Sequence, residues 1–72
     1  MAYKKIGTID NITEIPLNKN IIVSGHVDGI GWMWHMGGIF KKKGNEIIFQ
    51  NEYGMSTKVQ NGKIGLNILR KI

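Results

Sequence analysis

The chain has no cysteine, one proline and one arginine among its 72 residues. Without thiols, neither disulfides nor cysteine-ligated zinc can reinforce so small a domain, which leaves self-association as the usual device. A single domain spanning 1–72 buries only about 60% of the surface its unfolded chain exposes, so a homo-oligomer is expected. The lack of thiols also fits a reducing cytoplasm. No apolar run approaches the roughly 18 residues needed to cross a membrane. The opening Ala2-Tyr3-Lys4-Lys5-Ile6 leads into polar alternation rather than the apolar stretch of a signal peptide. The expected location is therefore cytoplasmic, with no membrane partner.

Catalytic signatures are missing too. Gly29-Ile30-Gly31 lacks the third glycine of a dinucleotide fingerprint, no βαβ unit fits around it, and there is no phosphate-loop pattern. Ser24, His26 and Asp28 share one side-chain direction on a strand, yet no strained elbow or oxyanion motif accompanies them. His26, Asp28 and His35 could offer two imidazoles and a carboxylate to zinc, but their spacing matches no compact ligand signature. These residues read as polar ligand contacts, and Asp28 also as a turn cap. The expectation is a protein with no catalytic residues, no metal and no cofactor.

What the chain does have is concentrated. Between Gly25 and Gly38 lie five of the ten glycines, both tryptophans (Trp32, Trp34) and both histidines (His26, His35). Glycine lets backbone approach a ligand closely, while indole and imidazole supply flat faces and hydrogen-bond donors. Trp32, Trp34 and Met36 alternate with Met33 and His35 as in a strand, although Ile30, Met33 and Trp34 also fit one helical turn. Five glycines weigh against a helix, so an extended or bulged strand is expected. Gly37-Gly38 reads as a bulge or a place of close backbone approach.

Flanking segments read as short strands joined by turns. Tyr3 to Ile9 and Ile21 to His26 alternate, and Pro16 to Asn20 forms a turn after a short run at Ile12–Ile15. A hairpin turns at Lys43-Gly44-Asn45. A two-residue loop there sets Phe40 opposite Phe49, and a three-residue loop sets Lys42 opposite Glu46. Asn61-Gly62 is the preferred dipeptide of a tight hairpin and pairs Val59 with Ile64, Thr57 with Leu66 and Met55 with Ile68 on one dry face. The wet face then carries Lys58 with Gly65 and Ser56 with Asn67, and Arg70 falls opposite Tyr53. The resulting fold class is all-β, a small antiparallel meander, barrel or sandwich of five to seven short strands.

Ten Lys/Arg against five Asp/Glu give a net charge of +5, which favours anionic partners. Lys41, Lys42 and Lys43 sit at a hairpin tip, where they blunt a strand edge or contact phosphate. Arg70 offers the planar fork that suits phosphate or carboxylate. The expected function is binding of a small anionic aromatic ligand, most plausibly a nucleotide, as in a phage-type protein that sequesters a nucleotide signal. The expected site is Trp32, Trp34, His26, His35, Asp28, Gly29, Gly31, Arg70, Lys41 and Lys42. Binding of single-stranded nucleic acid by a small barrel is the alternative, and a cationic membrane-active peptide ranks third. Light scattering at micromolar concentration is expected to give a mass above that of the 8.1 kDa monomer. A clean monomer removes the self-association argument.

Overall fold

The alternating runs become six strands in a computed structural model that describes residues 2–60 and 62–72. These are β1 (Tyr3–Ile9), β2 (Asn20–Val27), β3 (Gly31–Lys43), β4 (Glu46–Asn51), β5 (Ser56–Val59) and β6 (Ile64–Lys71). All neighbours are antiparallel, in one open sheet of order β1-β6-β2-β3-β4-β5. The fold is all-β. It departs from a simple meander because β6 inserts between β1 and β2.

The inward-pointing residues of all six strands meet in one core. Ile9, Val23, Val27, Met33, Phe40, Phe49, Val59, Ile64 and Leu66 are buried there with Ile15. A flat sheet without a second layer cannot enclose such a cluster, so the sheet curls over its own inner face. Its free edge β5 returns far enough for Gln60 N–H to donate to the Asp28 carbonyl at 3.2 Å, in the turn between β2 and β3. The short run at Ile12–Ile15 begins as a 3₁₀ helix, Ile12–Glu14. Asn11 caps it by accepting from Thr13 N–H, a local bond that competes with strand pairing. The turn sets Ile15 into the core and packs Ile12 and Leu17 against it.

Two expected hairpins fare differently. At Lys43 to Glu46 the two-residue loop forms, with Phe40 opposite Phe49 and Lys43 opposite Glu46. Gly44 carries a φ of 64°, and the two phenyl rings meet at 4.8 Å between centroids. The hairpin expected at Asn61-Gly62 does not form. β5 pairs with β4, placing Val59 opposite Ile47 and Lys58 opposite Ile48. β6 pairs with β1 on one side and β2 on the other, so Ile64 faces Val27 and Arg70 faces Lys4, not Tyr53. Two ladders along the 8 residues of β6 satisfy more backbone groups than one ladder against the 4 residues of β5. Asn61 lies outside the described residues. Met55, expected in that ladder, sits in the β4–β5 turn, where Asn51 Oδ1 accepts from Tyr53 N–H and Met55 N–H.

The β2 and β6 backbones approach closely at Gly25, where φ is 138° and a Cβ would collide with the Gly65 carbonyl. Gly65 itself opens onto empty space. Gly25→Ala is expected to cost about 2–4 kcal/mol from strain and overpacking. Gly65→Ala is expected to be neutral or stabilising by up to about 1 kcal/mol. Chemical denaturation of the pair checks this, and equal midpoints would contradict the approach described.

Candidate functional site

The core demand on β3 sets the position of both tryptophans. Met33 is buried, so by strand alternation Trp32 and Trp34 project from the outer face, where they are 82% and 78% exposed. Regular alternation would send Met36 outward with them, as the sequence reading has it. The structure corrects this with a bulge. Two steps along β2, Gly25 to Val23, oppose three along β3, Met33 to Met36, and His35 takes a left-handed φ of 46°. The extra residue brings Met36 back against the core while leaving both indoles outside.

Each indole has an imidazole beside it. His26, on β2 directly opposite Trp32, meets it edge-on at 5.1 Å between centroids. Trp34 stacks on His35 at 4.6 Å, and the other neighbour of His35 is the ring of Tyr3 at 4.2 Å. Tyr3 was not among the expected site residues. It belongs to the first strand in sequence, and only the curl of the sheet brings it to β3.

Asp28 acts as a joint in the backbone. Its carboxylate accepts from Lys63 N–H at 2.9 Å, its N–H donates to the Lys63 carbonyl at 3.0 Å, and its carbonyl accepts from Gln60. Its second oxygen lies 3.8 Å from His26 Nδ1. Gly29, next in the turn, packs where a Cβ would meet the Lys58 carbonyl at 2.9 Å, and Gly62 lies against the Asp28 carboxylate. Gly31 begins β3 with open space around it. The polar turn residues thus tie the β5–β6 connection to the β2–β3 turn. Asp28 Oδ1 stands beyond hydrogen-bond distance of His26 Nδ1, and among the described residues no hydrogen bond joins Ser24 to His26, so the three are not linked as a relay. Among the described residues no three metal-ligating side chains gather.

The expected cationic contacts lie elsewhere. Lys41 is on the same outer face as Trp34, but seven residues along β3 place it roughly 20 Å away. It donates to Gln50 Oε1 at 2.9 Å. Lys42 lies beside it near the hairpin tip, opposite Ile47. Arg70 is near the end of β6, paired with Lys4 on β1. Lys5, opposite Leu69, is a further cation on the outer face. Among the described residues no helix is long and apolar enough to cross a membrane. Compared with protein-family models, curated proteins and solved structures, the chain matches none of them.

Asp28→Ala is expected to destabilise the protein by about 1–2 kcal/mol, at the low end for a charged acceptor because the carboxylate is partly solvated. Asp28→Asn keeps an oxygen for Lys63 N–H and is expected to recover at least half of that loss. Urea melts of the two variants measure both.

Proposed function

We propose that the chain is a non-enzymatic binding protein whose outer face stacks nucleobases on Trp32 and Trp34 and meets their phosphates with lysines, with single-stranded nucleic acid as the occupant. The observation that carries this is the pair of indoles, each about four-fifths exposed and side by side on one strand. Large aromatics left in water on a face that the core does not need mark a contact surface. Their spacing of about 7 Å along the strand is close to twice the roughly 3.4 Å rise of stacked bases, which suits sequence-tolerant stacking.

Charge and distance favour a strand over a single nucleotide. A mononucleotide seated on the indoles does not reach Lys41, whereas a chain of nucleotides running along β3 meets both. The mononucleotide reading keeps one argument. Self-association of this 72-residue chain would supply the second wall that the open face lacks, turning the platform into a cleft between protomers.

Tryptophan fluorescence titrated with an oligothymidylate and, separately, with a panel of mononucleotides tests the proposal. Trp32→Ala and Trp34→Ala are each expected to weaken oligonucleotide binding roughly five- to hundredfold, following about 1–3 kcal/mol per stacked base. Melting temperatures should hold, since both side chains are mostly in solvent. A strand should lose roughly 2.6-fold in affinity for each phosphate it contacts between about 50 and 200 mM salt, and a mononucleotide only about one such factor. Tight mononucleotide binding with weak salt dependence would favour the cleft reading. Undiminished binding by both variants would overturn the role given to the indoles.

A further inference from the structure

Away from the indoles, where β1, β6 and β2 run side by side, the surface sinks into a groove of about 350 Å³. Ile21 on β2 and Ile68 on β6, which share one face and also pack against the core, give it an aliphatic floor, while Ile22 and Leu69, paired with each other, point the opposite way. A second bulge supplies the lip. Lys5 pairs with Leu69 and Gly7 with Ile68, which leaves Ile6 unpaired in the ladder, 56% exposed and lining the groove. Bulges on edge strands commonly re-aim a side chain in this way.

The groove has a charged end. Arg70, two residues beyond Ile68, lies on that same face, and β1 sets Lys4 opposite it. Asn20 adds an amide, and no carboxylate is among the lining residues. We propose that this groove binds a free single-chain anionic amphiphile, a medium-chain fatty acid in chemical class, with its tail along Ile6, Ile21 and Ile68 and its carboxylate at Arg70 and Lys4. An aliphatic channel ending in unopposed cations matches a hydrocarbon tail ending in an anion, and Arg provides the fork that a carboxylate accepts. The groove is concave and sits near the small end of the range for ligand pockets, which selects a short chain over a bilayer surface.

Backbone amide NMR spectra of the full chain, titrated with decanoate below its micelle concentration, test this. Saturable shifts are expected at residues 20–22 and 68–71 and at Ile6, with the indole N–H signals of Trp32 and Trp34 unmoved. Decanoate should bind about tenfold more tightly than octanoate, since each buried methylene is worth up to about fourfold. The double variant Arg70→Ala, Lys4→Ala should weaken decanoate about tenfold and bring it level with decanol. Ile6→Asp, on a half-exposed edge residue, should abolish binding while the spectrum stays folded and oligonucleotide binding persists. Shifts centred on the indoles, equal binding of decanol and decanoate by the parent, or a response to phosphatidylglycerol vesicles alone would each overturn the assignment. Because the two sites use different residues and probes, failure here leaves the indole face untouched, and the converse also holds.

Discussion

Asp28 holds the curl together. A single sheet has two faces, and this chain has apolar residues enough to cover one, so its inner face is buried only if the sheet folds over on itself. Hydrogen bonds within the ladders do not enforce that, because they run equally well in a flatter sheet. The enforcing contacts are those from Asp28 to Lys63 and Gln60, which clamp the connection after the outermost strand onto the turn between two central ones. With that joint closed, Val59 from the edge and Val27 beside the turn share one core. Opened, β5 would leave Val59 and Phe49 facing water.

The same joint explains which residues remain for other work. His26 is held between Asp28 and Trp32, so the turn and the aromatic face are mechanically linked. The histidine has a supporting role at both ends. It lies edge-on to the indole nearest the joint, and in the proposed binding mode a ring with a fixed neighbour costs less ordering than a free one. At the other indole, His35 is fixed between Trp34 and Tyr3, although its backbone sits in a conformation that glycine would adopt at lower cost. Strain of that kind persists only where neighbours hold it in place.

Much of the fold was legible wherever the governing interaction was local. β1 spans the residues that alternation marked out, and the Lys43 to Glu46 hairpin follows from a glycine in a two-residue loop with phenyl rings paired across it. The β5–β6 pairing failed for the opposite reason. Asn61-Gly62 is a strong local signal, but Ile64, Leu66 and Ile68 gain two flanking strands by joining β1 and β2, and that advantage involves residues some sixty positions away. A signal for the alternative did exist. Asn51 and Gly54 carry the first and last residues of a common four-residue turn, which predicts β4 folding back onto β5 instead. The candidate site was legible as a segment but not as a geometry. Composition marks Trp32 and Trp34, whereas the bulge that separates them from Met36, and the arrival of Tyr3, are tertiary outcomes.

The two bulges explain why this chain has surfaces to spare. In a regular strand, period-two alternation commits every second residue inward, and an apolar residue out of phase is an error to be removed. A bulge resets the phase at the expense of one unpaired residue. On β3 it lets Met33 and Met36 both reach the core around two exposed indoles, and on β1 it leaves Ile6 beside the aliphatic groove. Both irregularities therefore sit where apolar side chains meet solvent, and the one on β3 also keeps Met36 and Phe40 in phase with the core. Each of the two surfaces proposed for ligand binding thus lies beside a bulge, whereas the polar turn at Asp28 is occupied in holding strands together.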